Sequence, residues 1–256
     1  MITSSSALDR AGVVHGFGTR HGGTSTGVFA SANMGGHGDD ALAVEENRRR
    51  FAQALGADAN ALCTLRQVHG PKVVRAERGE VREREGDALI SATAGLVLGV
   101  TTADCVPVLL ADAAAGVAGA VHAGWRGTLA GVVANAVDAL AAAGGRPERT
   151  IAAIGPCIRQ TSYEVDALVR DAAHAALGKT AERWFRVGRD DDHWWFDLAG
   201  VVDRQLRERR IKTVDDSRLD TLNNETIYFS HRRNSLRGEA RYGVHLSAVV
   251  VPKPGT

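Results

Sequence analysis

The sequence is short of cysteine, of net charge and of long apolar runs, and each shortage excludes a class of protein. Its three cysteines, Cys63, Cys105 and Cys157, are odd in number and widely spaced, which favours reduced cytoplasmic thiols over a disulfide framework. Lys and Arg number 31 against 30 Asp and Glu, a formal charge of +1, too small for bulk attraction to nucleic acid or an anionic membrane. A small-molecule partner and no nucleic acid are therefore expected.

Targeting signals are also missing from the sequence. No apolar run approaches the roughly 20 residues of a membrane-spanning helix, so no membrane association is expected. The opening residues MITSSSALDR lack the basic region and apolar core of a secretory signal, so the protein is predicted to be cytoplasmic. No repeat, low-complexity tract or linker divides the chain, so residues 1–256 are expected to form a single domain. The expected assembly is a monomer or a small homo-oligomer.

Apolar periodicity predicts a mixture of helices and strands. Helices are predicted over 41–55, 127–143, 165–177 and 198–208, with Asp39-Asp40 and Asp197 as caps. Strands are predicted at 12–18, around His69, and at 87–91, 96–101, 106–111, 116–122, 150–154, 194–196, 211–214 and 242–251. Residues 117–154 resemble a parallel strand–helix–strand unit. Because strands outnumber helices and several are consecutive, an α+β fold is favoured over a doubly wound sheet.

The stretch from 101 to 127 concentrates the polar chemistry of the chain. Cys105 precedes one apolar strand and His122 ends the next, and rigid scaffolds often present functional side chains at such places. Arg126 follows at the start of a helix, a position suited to a phosphate or carboxylate. Asp104 adjoins Cys105, so both side chains can reach one site only if the strand has ended there.

His69, Cys105 and His122 are the donor types of a catalytic zinc site, which has three protein ligands and an open fourth position. Their wide spacing is weak evidence, since a lone cysteine is more often part of a core and a lone histidine is more often a hydrogen-bonded polar residue. A copper site of this type usually adds an axial methionine, but neither Met1 nor Met34 lies in a ligand context. No His-x-His pair is present, so copper redox chemistry is not expected.

The same side chains fit two other kinds of site. Cys105 could be a nucleophile, with His122 as its base and Asp104 orienting the imidazole, because a thiol needs such neighbours to ionise near neutrality. Outside catalysis, the histidines and cysteine could form a metal-binding module without turnover. The residue types alone do not separate these alternatives from a catalytic zinc site.

Two loops complete the pattern. Residues 19–38 are rich in Gly, Ser and Thr and carry Arg20, Asn33 and His37, so this long loop is predicted to face a substrate. Residues 78–85 are predicted to be a charged surface turn.

Ten motifs occur in one order along the chain. They are Thr19-Arg20-His21-Gly22-Gly23, Asn33, Asp39-Asp40, Asn47-Arg48, Arg66-Gln67-Val68-His69-Gly70, Thr102-Ala103-Asp104-Cys105-Val106-Pro107, Val121-His122-Ala123-Gly124-Trp125-Arg126-Gly127, Ile154-Gly155-Pro156-Cys157-Ile158, Tyr163-Glu164-Val165 and Phe229-Ser230-His231-Arg232-Arg233. This order resembles the laccase-domain family, also labelled polyphenol oxidase or peptidoglycan editing factor, over about nine-tenths of the chain. The missing copper motifs argue against the oxidase label.

The resemblance implies a four-layer αββα fold with a central mixed β-sandwich. It implies zinc as cofactor, bound by His69, Cys105 and His122. It also implies a zinc-dependent purine nucleoside phosphorylase acting on inosine, adenosine, guanosine or methylthioadenosine, with adenosine deamination as a further candidate activity. The editing label implies an alternative, a Cys–His hydrolase acting on a peptidoglycan precursor.

The phosphorylase hypothesis gives roles to further residues. The candidates for binding phosphate are Arg20, Arg48 and Arg126, and those for the base or sugar are Asn33 and Gln67. Asp104, Cys105 and Arg126 are the candidate catalytic residues, and in deamination Asp104 would shuttle protons. One departure from the family pattern is Asp220, where members often carry a cysteine before threonine, and this change could alter the substrate range.

Overall fold

The computed structural model describes residues 1–35, 38–77 and 83–255. The strands are β1 (Ile2–Thr3), β2 (His15–Gly18), β3 (Leu62–Cys63), β4 (Val73–Arg75), β5 (Ala88–Ser91), β6 (Val97–Thr102), β7 (Val106–Asp112), β8 (Val117–Ala123), β9 (Ile151–Ile154), β10 (Glu164–Val165), β11 (Phe185–Val187), β12 (Trp194–Phe196), β13 (Thr213–Asp216) and β14 (His245–Val250). The α-helices are α1 (Ser6–Arg10), α2 (Ala41–Ala54), α3 (Trp125–Leu129), α4 (Val132–Ala142), α5 (Ala167–Leu177), α6 (Leu198–Glu208) and α7 (His231–Leu236). Short 3-10 helices span Gly27–Phe29, Ala59–Ala61 and Gly178–Trp184.

Two large mixed sheets form the centre of the molecule. One has five strands in the order β1-β2-β14-β6-β3, and the other has six in the order β13-β9-β7-β8-β5-β4. Each combines antiparallel pairs with parallel ones, such as β3 with β6 and β13 with β9. A small sheet of β10, β12 and β11 completes the set. In the described ranges, no helix is both long and apolar enough to cross a membrane.

The two large sheets pack face to face. Phe17 and Leu98 from the five-stranded sheet share a buried cluster with Leu109 and Ala120 from the six-stranded sheet. Strand periodicity places alternate residues of β7 and β8 on the opposite face, where they pack against apolar residues of α4 and α6. On the outer face of the five-stranded sheet, fully buried Phe51 of α2 packs in one cluster with Val97 of β6 and Leu246 of β14. These four layers are the αββα sandwich expected from the resemblance, and the α+β class is confirmed.

Most predicted elements are present, and the helix caps agree with the sequence. Asp40 and Asp197 accept hydrogen bonds from the main-chain N–H groups of Leu42 and Gly200, as N-cap carboxylates do. The predicted strand–helix–strand unit is present with β8 and β9 parallel, but β7 lies between them and runs antiparallel to both.

Two predictions about local structure are wrong. The segment around His69 is a turn, with His69 in the left-handed region at φ 59°. The predicted helix over 127–143 is two helices, because Gly131 has φ 94° and separates α3 from α4. The predictions for His37 and for residues 78–82 lie outside the described residues.

Candidate metal centre

Three side chains that are distant in sequence meet at one end of the six-stranded sheet. His69 lies in the turn between β3 and β4, Cys105 directly precedes β7, and His122 is near the end of β8. Their donor atoms all lie within 4.8 Å of one another. Among the described residues, these three side chains form a group that could hold a metal ion. Cys105 Sγ is 3.9 Å from His69 Nε2, and the two imidazole rings meet edge to face at 4.7 Å. The fold therefore assembles the predicted donor set.

Asp87, which the sequence analysis did not assign to the site, holds the ring of His122 and the main chain of His69. Its Oδ1 accepts hydrogen bonds from His122 Nδ1 at 2.8 Å and from the main-chain N–H of His69 at 2.9 Å. Its Oδ2 accepts from the N–H groups of Val68 and Gly70. This fully buried carboxylate thus stabilises the turn around His69. Because it bonds Nδ1 of His122, the other ring nitrogen, Nε2, can bind a ligand. The sequence feature that could have identified Asp87 is its position directly before the buried strand β5.

Burial opposes charge on Cys105 and His122, but their mutual attraction outweighs it. Burial raises the pKa of Cys105, whereas neighbouring His122 and His69 lower it, to about 6 overall. Burial lowers the pKa of His122, whereas the Cys105 thiolate and the hydrogen bond to Asp87 raise it, to about 9 overall. The thiolate is the form of cysteine that binds metals and attacks electrophiles, so this environment suits either role.

The donor set fits zinc. Two imidazoles and one thiolate make a three-ligand set of the kind found in catalytic zinc sites, and the carboxylate behind His122 is the usual outer support. A blue-copper site would add a weak axial methionine, but Met34 is buried against α2 in another cluster. The main chain at Gly124 passes close to the donors, because a Cβ on this residue would lie 2.9 Å from His69 Cδ2 and 3.1 Å from Cys105 Sγ.

Asp104 lies between β6 and β7, so the strand has ended as the sequence analysis required. Its φ is 85°, an uncommon conformation for a residue with a side chain. Its carboxylate is buried and accepts hydrogen bonds from Thr221 Oγ1 at 2.6 Å, Ser230 Oγ at 3.0 Å and the Arg232 N–H at 2.6 Å. Both carboxylate oxygens are therefore engaged by residues in and before the start of α7.

A cleft of about 250 Å³ opens beside the donors. Its lining residues are His69, Ala103, Asp104, Cys105, Trp125, Arg126, Ile158, Tyr163, Leu198, His231 and Arg232. The cleft thus combines two of the three donors, His69 and Cys105, with two aromatic rings, two arginines and apolar side chains. A larger cavity of about 420 Å³, beside Trp184 and Arg204, contains none of the donors.

The remaining predicted substrate-binding residues do not line this cleft in the described structure. Arg20 donates to the carbonyl groups of Ala30 and Glu225, and Arg48 donates to that of Met34. Fully buried Asn33 is hydrogen-bonded to Asp39 and Val244. The side-chain amide of Gln67 donates to the Thr101 carbonyl and accepts from the Thr101 N–H. These contacts hold loops together, and the substrate-binding roles of Arg20, Asn33, Arg48 and Gln67 stay predictions. Arg126 does line the cleft, as does Arg232, to which the sequence analysis gave no role.

Fold and site together define an αββα sandwich protein with a His–Cys–His group that could hold a metal ion beside a cleft. The family model described as "Multi-copper polyphenol oxidoreductase laccase" matches residues 14–252. The chain belongs to this family.

Its relatives include curated enzymes. A purine nucleoside phosphorylase of Deinococcus radiodurans is 48% identical, with the alignment covering 87% of this chain and 85% of the relative. The purine nucleoside phosphorylase YfiH of Shigella flexneri is 34% identical over 86% of this chain and 88% of that protein. The crystal structure of YlmD from Geobacillus stearothermophilus has a TM-score of 0.86 and 33% identity, covering 94% of this chain and 93% of that one.

Proposed function

We propose that the protein is a zinc-dependent purine nucleoside phosphorylase, which cleaves a purine nucleoside with inorganic phosphate. The observation that carries the proposal is the His69–Cys105–His122 group beside a cleft that also offers arginines and aromatic rings. The names of relatives up to 48% identical support the same reaction. None of the three cysteines forms a disulfide in the described residues, which together with small-molecule substrates supports the expectation of a cytoplasmic enzyme. A monomer or small homo-oligomer that binds no nucleic acid remains the expected state.

The cleft provides groups for each part of the reaction. In phosphorolysis a phosphate oxygen bonds to C1′ of the ribose, the bond from C1′ to the purine nitrogen breaks, and the base leaves with the electron pair and gains a proton. Zinc held by His69, Cys105 and His122 would supply Lewis-acid polarisation. Trp125 can stack on a purine ring, and Arg126 can donate bidentate hydrogen bonds to phosphate oxygens.

Adenosine deamination is a further activity to be tested. It requires a group that moves a proton at the base, and Asp104 is the carboxylate in the cleft lining. Its three hydrogen bonds to Thr221, Ser230 and Arg232 fix the carboxylate in place, which favours a positioning role over a proton shuttle. We expect ammonia release from adenosine to be slow compared with phosphate-dependent release of adenine.

The test combines metal content with turnover. We expect about one zinc per chain, the number that one three-ligand site holds, and release of hypoxanthine from inosine that requires phosphate and is lost on chelation and restored by zinc. His122→Ala should lose zinc and turnover together, because it removes a ligand. His193→Ala, in the distant turn before β12, is the matched control and should keep both. Full turnover by zinc-free His122→Ala protein would end the proposal.

A Cys–His hydrolase acting on a peptidoglycan precursor is the second candidate. One observation favours it: His122 lies between Cys105 and a carboxylate, with the pKa of Cys105 lowered to about 6. The carboxylate is Asp87, so the prediction that Asp104 orients the imidazole is wrong, because Asp104 bonds Thr221, Ser230 and Arg232 instead. The hydrolase candidate predicts hydrolysis that survives chelation and is abolished by alkylation. If the protein binds zinc but converts neither a purine nucleoside nor a peptidoglycan precursor, a non-catalytic metal-binding module is the remaining interpretation.

Alkylation of the cysteines distinguishes a zinc-bound thiolate from a free one. Without zinc, iodoacetamide should label Cys105 first, because it is half-buried and ionised near neutrality, whereas burial raises the pKa of Cys157 to about 12. Peptide mass spectrometry measures the label at each site. Zinc should slow labelling of Cys105 if it is a ligand, and unchanged labelling would favour the hydrolase.

A further inference from the structure

Two arginines in the cleft are held by aromatic rings. The guanidinium of Arg126 lies 4.3 Å from the centre of the Trp125 ring, and that of Arg232 lies 5.5 Å from the Tyr163 ring. Neither forms an ion pair with a carboxylate in the described ranges. A guanidinium over an aromatic face still directs N–H donors outward from its edge. The two cations are therefore available to a ligand in the cleft.

The side chain of Tyr163 lines the same cleft as the two arginines and Cys105. Burial and the nearby Cys105 thiolate raise the pKa of Tyr163, whereas Arg232 and Arg126 act to lower it. An anion placed between the two arginines would also be next to Cys105.

Arg232 is fixed at both its main chain and its side chain. Its main-chain N–H donates to Asp104 Oδ2 at 2.6 Å, and its Nη1 donates to the carbonyl oxygen of Glu164 at 2.8 Å. A guanidinium has five N–H donors, so the bond to Glu164 leaves a fork for an oxyanion. Prior fixation reduces the entropy that the side chain would lose on binding.

Asp104 connects this arginine to the metal donors. It is the residue before Cys105, and its carboxylate holds Thr221, Ser230 and the main chain of Arg232. Ser230 is in turn the N-cap of α7 and accepts a hydrogen bond from the Arg233 N–H. A single buried side chain therefore sets the distance between the segment that carries Arg232 and the segment that carries Cys105.

We infer that Arg232, together with Arg126, binds the phosphate oxyanion, and that Asp104 is a positioning residue that holds Arg232 against the metal centre. The inference rests on the proposed phosphorylase function, and it gives phosphate a place between the two arginines. It also assigns Asp104 a role in which its carboxylate exchanges no proton with the substrate.

The first experiment measures the KM for phosphate in Arg232→Gln with inosine as co-substrate. The substitution removes the cation but keeps the main-chain N–H that Asp104 binds. We expect the KM for phosphate to rise about ten- to a hundredfold, the loss that one charged hydrogen bond causes, with zinc content and the KM for inosine little changed. Arg186→Gln, at an exposed position of β11, is the matched control and should behave as wild type. An unchanged KM for phosphate in Arg232→Gln would overturn the inference.

The second experiment tests whether Asp104 acts through Arg232. Asp104→Asn keeps the shape but replaces one acceptor oxygen with a donor, and it should raise the KM for phosphate while zinc remains bound. In the Arg232→Gln background the same substitution should add little, since the group that it positions is gone. Thr221→Val removes one tether without altering Asp104 and should shift the KM in the same direction. A fall in kcat alone, equal in both backgrounds, would contradict the positioning role.

Binding of inorganic phosphate separates this inference from the proposed reaction. Titration of the zinc-loaded protein with phosphate, followed by calorimetry, should show binding in wild type and Arg186→Gln and weaker binding in Arg232→Gln. Such binding without any nucleoside cleavage would support the anion site and refute the phosphorylase proposal. Cleavage with normal phosphate binding in Arg232→Gln would support the phosphorylase and refute the anion site. Absence of both binding and cleavage would refute both.

Discussion

Asp87 contacts both histidines of the donor group although it is not one of the donors. Its carboxylate accepts from His122 Nδ1 and from the main chain of His69, and its own carbonyl accepts from the His122 N–H at 2.7 Å. An outer carboxylate of this kind sets the tautomer and direction of a ligand histidine. The donor geometry therefore depends on this residue as much as on the ligands.

We predict that Asp87→Asn weakens zinc binding about 10- to 100-fold. The amide cannot accept from all of the N–H groups that now face the carboxylate, so stability should also fall by about 1–3 kcal/mol. Competition with a chelator measures the affinity, and urea denaturation measures the stability. Asp112→Asn is the control, because Asp112 is a buried carboxylate bound by Arg149 and Arg146 away from the donors. Equal zinc affinity in both variants would contradict the role of Asp87.

Arg233 shows why neighbouring residues of one motif can differ in function. Its guanidinium is buried and donates to the carbonyl groups of Thr221, Leu222 and Tyr228. Adjacent Arg232 instead points its side chain toward the cleft. Two consecutive arginines therefore divide between loop structure and ligand binding, and only the direction of each side chain separates them.

At the scale of elements, the break between α3 and α4 places the cleft wall. The apolar spacing continues across Gly131, which is why the sequence predicts one helix. Gly131 has φ 94° and ψ 21°, a left-handed conformation that ends α3 and lets α4 lie across the six-stranded sheet. Trp125 and Arg126 of short α3 can thus face the donors while α4 packs on the core.

Gly131→Ala should lower the free energy of unfolding by about 1–2 kcal/mol, the cost of a left-handed residue with a Cβ. A Cβ at this position meets no atom within 4 Å, so the loss is conformational and not a clash. Gly131→Asn should lose less, because asparagine tolerates this conformation better. Urea denaturation of the three proteins gives the comparison, and equal stabilities would show that the turn does not require positive φ.

At the scale of the whole molecule, the site lies where the two sheets meet. Asp104 and Cys105 are in the connection from β6 of one sheet to β7 of the other, and His122 ends β8. His245 begins β14 at the same end, where it pairs with Thr102. Its Nε2 accepts from the Phe229 N–H at 2.6 Å, and its Nδ1 donates to the Thr102 carbonyl at 3.1 Å. A neutral imidazole thus joins the sandwich to the segment before α7.

The stability of the metal-free protein should decline in acid because of His245. Burial lowers the pKa of His245 to about 3, from 6.5 in the unfolded chain, despite the hydrogen bond to Thr102. Above pH 6.5 neither the folded nor the unfolded chain protonates His245, so this residue does not reduce the free energy of unfolding. As the pH falls toward 3, the unfolded chain binds a proton that the folded chain excludes, so stability is lost.

His245→Gln should remove this part of the pH dependence. Glutamine can also accept from Phe229 and donate to Thr102 but takes up no proton. Urea denaturation between pH 4 and 8, settings that span most of the range from about 3 to 6.5, should give a shallower slope for the variant, by up to about 1.4 kcal/mol per pH unit. Identical slopes would mean that His245 is not kept neutral by the fold.

The sequence alone determined much of this protein through interactions that are local in the chain. The caps Asp40 and Asp197 bond N–H groups two and three residues ahead, and the helices and strands follow from apolar periods of a few residues. Residue chemistry marked His69, Cys105 and His122 as donors, and resemblance supplied the four layers. Local rules suffice where each partner lies within one turn or one strand.

Only the tertiary structure decided how the site is held together. Asp87 lies 18 residues from His69 and 35 from His122, and Asp104 meets Thr221 and Ser230 across 117 and 126 residues. A carboxylate can satisfy any nearby N–H or hydroxyl group, so its sequence neighbours do not reveal which partners folding will bring. The turn at His69 and the position of Arg232 depend on those long-range hydrogen bonds, which form only when distant segments of the chain meet in the fold.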